Sequence, residues 1–232
     1  MKVGAILATL GAGCLAALPS PAHAGPRADY EHTFTTPVPG ASTGVDTRIL
    51  YKHPDDPDAK PIPVRQEVFT FPEGTEFDQS VLPDCDATDL ELQLIGEDAC
   101  PPESRIGDGE GTFMSGFGSG ENPMEIDIFD DDAGARVLGG STEVPIRFAT
   151  RARREGRVVT VEAPRMPGGP PDGEGAIRRV HNVFDAHSSG DRAYVRTPSV
   201  CPASGAWTFH ARFTFADGAV EENTSEMPCS AG

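Results

Sequence analysis

The stretch Pro198–Cys229, PSVCPASGAWTFHARFTFADGAVEENTSEMPC, decides the fold class. From Trp207 onward it alternates: Trp207, Phe209, Ala211, Phe213 and Phe215 fall on one side of an extended strand, and Thr208, His210, Arg212 and Thr214 on the other. Period two marks a strand with one buried face, because successive side chains of a pleated strand point to opposite sides. The only Trp of the chain and three of its 12 Phe share that apolar side, so it is expected to wall a core. Asp217-Gly218 supplies a turn, and a more polar strand is predicted from Val220 to about Met227. Cys201 and Cys229 flank the pair, placed to tie its ends together.

Working outward, the N-terminal residues MKVGAILATLGAGCLAALPSPAHA read as an export signal. Lys2 gives a positive start, an apolar run extends from about Val3 to Leu18, and Ala22-His23-Ala24 forms an A-x-A cleavage site. Cleavage after Ala24 leaves 208 of the 232 residues and moves the formal charge from −17 to −18 by removing Lys2. The apolar run is too short and too rich in Gly and Ala for a membrane anchor. Cys14 lies inside it with Gly11 three residues earlier, which is not the pattern of a lipidation site. A strongly acidic chain is repelled by nucleic acid and by anionic membranes, so neither is an expected partner. The protein is therefore expected to be secreted, with no membrane span.

Four cysteines remain after the leader, Cys85, Cys100, Cys201 and Cys229. An even count in an exported chain reads as disulfides with three connectivities open, of which the local pairing 85–100 and 201–229 is favoured. Loops of that size are worth roughly 3 to 4 kcal/mol each in the chain-entropy account. No CxxC or Cys/His zinc spacing occurs.

Residues 25–46 form a Pro/Gly/Thr-rich arm with one extended piece near Tyr30–Thr36, suited to an edge strand, and residues 47–232 form the domain. Strands are predicted at 47–52, 64–71 and 104–117, the last rich in glycines that suggest a bulge or close backbone approach. The spacing predicts a short helix over Asp89–Leu94, capped by Asp86 or Thr88 and ended by Gly96. Hairpins follow at 124–138 around DDDAG and at 144–163 around Arg154-Glu155-Gly156; residues 164–175 read as a polar loop with no core residue. Another strand is expected over 176–187. Ten to twelve short strands at this spacing indicate one antiparallel β-sandwich, immunoglobulin-like or jelly-roll-like, with one short helix.

The runs VFTFPEGTEFD, CPPESRIGDGEG and RTPSVCPASGAWTFHARFTFADG, ending in PC, resemble a group of small exported proteins of high-GC bacteria with no assigned activity. The resemblance covers most of the chain after the leader and implies an all-β secreted domain with paired cysteines. It brings no catalytic residue.

Several constellations carry potential chemistry. In HNVFDAH, His181, Asp185 and His187 share one face of a strand and are the candidates for a transition metal. However, His181 and His187 are separated by about 20 Å along a strand, and a solvated polar face is the plainer account. Asp127, Asp130, Asp131 and Asp132, like Asp55, Asp56 and Asp58, lack the spacing of a calcium loop. No G-x-S-x-G, H-E-x-x-H or P-loop is present. Arg151, Arg153, Arg154 and Arg157 concentrate positive charge on one hairpin and form a candidate contact patch for an anionic extracellular polymer or an acidic protein. Asn223-Thr224-Ser225 matches a glycosylation sequon in a chain whose signal and composition look bacterial. The expected function is a non-catalytic binding or structural role in the extracellular space, without cofactor. The alternative is an extracellular hydrolase using clustered carboxylates or a metal site centred on Asp185 and His187.

Overall fold

The computed structural model describes residues 25–117, 120–141, 143–170 and 172–230, so the expected leader, residues 1–24, lies outside the described residues. The strands in chain order are β1 (Ala28–Phe34), β2 (Val45–Tyr51), β3 (Val64–Thr70), β4 (Glu76–Phe77), β5 (Arg105–Met114), β6 (Glu121–Asp131), β7 (Gly134–Gly140) and β8 (Arg147–Glu155). They continue with β9 (Val158–Glu162), β10 (Met166–Pro167), β11 (Glu174–Phe184), β12 (Ser188–Ser189), β13 (Arg192–Ala193), β14 (Val195–Arg196), β15 (Ala206–Phe215) and β16 (Val220–Pro228). Among the described residues a single α-helix, α1 (Asp89–Ile95), lies between β4 and β5.

The deciding stretch behaves as its alternation requires. Trp207, Phe209, Ala211, Phe213 and Phe215 of β15 are all buried, and His210 and Arg212 are exposed. Asp217-Gly218 makes the turn into β16, where Gly218 adopts φ 84°, a conformation open to glycine at no steric cost. The register sets Trp207 opposite Met227 and Phe213 opposite Glu221.

All strand pairings are antiparallel, and the main sheet runs β1-β2-β11-β5-β6-β7-β8-β9-β3-β15-β16, with β10 attached to β11. Consecutive strands β5 to β9 form a meander; β11 inserts between β2 and β5, and β3 between β9 and β15. The all-β antiparallel expectation with one short helix holds at this level. The sandwich arrangement is corrected: strand pairing passes without a break along all eleven strands, so the sheet curls on itself into a nearly closed barrel instead of splitting into two facing layers.

The two edges, β1 and β16, meet through side chains and not through a backbone ladder. Ser225 accepts from the His32 N–H at 3.0 Å and donates to the His32 carbonyl at 2.9 Å. Four residues along each strand, the Glu221 carboxylate accepts from the N–H groups of Arg27 at 2.8 Å and Ala28 at 3.1 Å. Because an edge strand carries a row of unpaired backbone groups, these contacts satisfy what a ladder would otherwise satisfy.

The helix forms as its sequence dictates. Thr88 and Glu91 make a reciprocal capping box, and Gly96 with φ 92° ends the helix. Its buried contact is Leu92, while Leu90 and Leu94 are exposed. Leu92 packs with Cys85, Ala87, Cys100, Phe129 and Leu138 in a small cluster against the outer face of the sheet. Cys85 pairs with Cys100 and Cys201 with Cys229, at Cα separations of 5.0 and 5.6 Å. Two disulfides are what an oxidising compartment preserves. The 164–175 segment departs from expectation: Met166 forms β10 with Gly175 opposite and is buried in the main core.

Candidate functional site

Eleven strands make a wider tube than side chains fill. Around eight strands the interior is just occupied by inward side chains, and each further strand adds circumference. That surplus space is visible in the residues. Val137, Ala152, Val159, Val161, Val180 and Phe184 all face the inside, yet each stays only half-buried. They border a cavity of about 150 Å³ that runs from Phe77, Arg154 and Tyr194 at one end to Ala163, Pro164 and Ile177 at the other.

Glycines in β5 shape one wall. Gly107, Gly109 and Gly111 sit in register with Phe184, Asn182 and Val180 of β11 and with Ile128, Ile126 and Met124 of β6. A Cβ on Gly109 would lie 2.1 Å from Asn182 Oδ1, and one on Gly111 would lie 2.7 Å from Met124 Cε. The glycines therefore let the flanking side chains lean across the strand, which is the close approach their presence in the sequence suggested.

Among the polar side chains of this wall, Glu67, His32 and Asn182 lie between its two ends. Glu67 of β3 lines the cavity and is half-buried. Its Oε1 accepts from the Tyr51 hydroxyl at 2.5 Å, and burial in apolar surroundings pushes its carboxyl up to about 7, against the lowering effect of that hydrogen bond. His32 of β1 is 4% exposed; its Nδ1 meets Thr47 Oγ1 at 3.0 Å and its Nε2 has no protein partner. Burial lowers the His32 imidazole to about 3, so the ring is neutral at ordinary pH. Asn182 of β11 presents an Oδ1 that also lacks a protein partner. Buried polar atoms of this kind are rare in folded proteins, because each lost hydrogen bond to water has to be replaced.

The end near Phe77 is closed by a polar plug. Arg154 donates to Gln79 Oε1 at 2.5 Å and lies 5.2 Å from the centre of the Phe77 ring. Gln79 Nε2 donates to the Asp131 and Gly134 carbonyls at 2.5 and 3.2 Å. The Tyr194 hydroxyl donates to Asp130 Oδ1 at 2.7 Å, and burial raises the Asp130 carboxyl to about 6.

The residues singled out in the sequence are dispersed by the fold. His181 faces outward with Nε2 3.2 Å from Asp46 Oδ2; Asp185 is exposed beyond the end of β11; His187 packs edge-on against Tyr194. Among the described residues no three His, Cys, Asp or Glu side chains converge as metal ligands. In the acidic run, Asp127 pairs with Arg105 at 2.7 Å on the outer face, Asp130 is held by Tyr194, and Asp131 pairs with Arg136 at 2.5 Å. The four arginines do not share one surface. Arg151 lies 3.6 Å from Asp89, Arg153 is exposed, Arg157 donates to the Phe71 carbonyl at 2.6 Å, and Arg154 turns into the lumen. Residue parity accounts for the split, since positions 151 and 153 face out while 154 follows on the opposite side.

Glu67 was missed as a site residue, although a signal for it existed. In VRQEVFTF, Glu67 is in phase with Phe69 and Phe71, so a charged residue stood on the buried face of a strand. His32 and Asn182 gave less warning, since each lies on a strand whose facing depends on partners remote in sequence. A search for similar proteins returned no matching family model, no matching curated protein and no matching solved structure.

Proposed function

We propose that this is an exported, non-catalytic binding protein that encloses a small, largely apolar molecule in the lumen of its barrel. Export with cleavage after Ala24, and kinship with the small exported proteins of high-GC bacteria, are parts of the same reading. The observation that supports it best is the combination of half-buried apolar side chains around a cavity of about 150 Å³ with unpartnered polar atoms on its wall. Ligand sites are typically apolar with a few placed polar groups, and a cavity of this volume accepts a benzene-sized body. The hydrolase alternative finds less support: Glu67 is the one carboxylate among the lining residues, and its hydrogen-bond partner is Tyr51, not a second acid.

The test uses toluene as a neutral probe of the right size, followed by amide chemical shifts in the full mature chain. Shifts are expected at β8, β9 and β11. Ala152→Leu, which fills the lumen from β8, is expected to abolish them while thermal stability is kept or raised. No shifts at saturating toluene, or shifts confined to outward-facing positions, would sink this reading.

A further inference from the structure

We propose that the lumen selects a compact organic cation, an apolar body of about one ring carrying an ammonium group held against Glu67. This rests on the lumen being the ligand site and adds what its polar groups choose. The charge arrangement is the main argument. Glu67 has one hydrogen bond, from Tyr51, and among the described residues no basic side chain forms an ion pair with it. Its cross-strand neighbours are Phe213 on β15 and Val161 on β9. A half-buried carboxylate among such neighbours lacks the counter-charge that normally accompanies a buried acid. Burial already raises the carboxyl to about 7, in line with that missing counter-charge.

An ammonium group supplies both parts of what is absent. Its positive charge compensates Glu67, and its N–H donors suit a wall on which Asn182 Oδ1 stands unpartnered. His32, Phe69 and Phe71 line the same cavity, and their rings, packed against one another, give the apolar body of the ligand an aromatic wall. His32 adds no competing charge, because its ring is neutral. An anion fares differently. The one basic side chain on the lining is Arg154, which is bonded to Gln79 and stacked on Phe77 close to Asp130 at the plugged end. The overall formal charge of −17 also draws cations toward the molecule.

Benzylamine, benzyl alcohol and benzoate have nearly the same size and differ in charge, so calorimetric titration with the three separates shape from charge. At pH 8 the Glu67 carboxyl is mostly ionised and an aliphatic amine is still protonated. Benzylamine is expected to bind about tenfold more tightly than benzyl alcohol, with benzoate weakest. Glu67→Gln keeps the side-chain shape and an acceptor for Tyr51. It is expected to erase the benzylamine preference, and a urea unfolding midpoint at pH 8 no lower than that of the wild type reports that the variant is folded. If benzyl alcohol binds but benzylamine gains nothing over it, or if Glu67→Gln keeps the preference, the cation proposal is wrong and the lumen reading survives. Tightest binding by benzoate would likewise overturn it and point to Arg154 as the anchor. If none of the three binds, the lumen reading falls and the proposal with it.

Discussion

Glu67 and His32 share one lumen and respond to acid in opposite senses. The Glu67 carboxyl is raised from 4.5 to about 7 in the folded chain, so the folded state holds its proton more tightly than the unfolded state does. Its effect is therefore unfavourable above about pH 7 and disappears as pH falls through 7 toward 4.5. The His32 imidazole is lowered from 6.5 to about 3, so its contribution is complete above pH 6.5 and is lost as pH falls from there toward 3. Between roughly pH 4.5 and 6.5 the two slopes oppose each other. Replacing Glu67 by Gln removes one of them. Urea unfolding at pH 8 is expected to show the variant more stable by up to about 3 kcal/mol, with the gap closing by pH 5. A wild type as stable as the variant at pH 8 would contradict the burial of Glu67. Trp207 illustrates the legible kind of residue: its place in an unbroken alternation announced its burial. Glu67 sat on the same kind of face, but its consequence depends on what lies across the barrel, and strand periodicity does not encode that.

At the level of elements, the sequence spoke clearly wherever local chemistry decides structure. The capping box of Thr88 and Glu91, the Gly96 stop, the Asp217-Gly218 turn and the two local disulfides all involve groups near one another along the chain. Which face an element presents was harder to read. In α1 the buried residue is Leu92, because the helix rests on the outer face of the sheet against Phe129 and Leu138, and that contact is set by tertiary placement. The arginine run 151–157 divided for a similar reason: alternation in β8 and the turn at Gly156 sent its members to different sides. Since α1 and the Cys85–Cys100 bond lie outside the barrel, they brace its wall without forming its lumen. Replacing both Cys85 and Cys100 by Ser is expected to lower stability by about 3 kcal/mol in urea unfolding and to leave toluene binding unchanged. Loss of binding in a variant that is still folded would place the helix in the site after all.

For the whole molecule, the eleven-strand path of the main sheet falls within the ten to twelve strands expected, although sixteen form among the described residues, and closure was not predictable. Ten to twelve short strands suit a sandwich or a barrel equally well, and the choice is made by which remote strands pair. Here β11 joins β2 to β5 and β3 joins β9 to β15, contacts between segments separated by long stretches of chain that leave no local trace. The seam gives this architecture a weak line. Ser225→Ala would leave the His32 N–H and carbonyl without their seam partner, at a cost of about 1 to 3 kcal/mol. Amide exchange at β1 should accelerate well ahead of exchange in the β5–β9 meander; equal acceleration everywhere would show that the seam is no weaker than the rest. The same seam bears on the order of assembly. His32 meets Ser225 across 193 positions of sequence, so the first strand of the sheet cannot find its second neighbour until the last strand has been made. Such long-range closure slows folding. The tube therefore stays open until β16 has been synthesised.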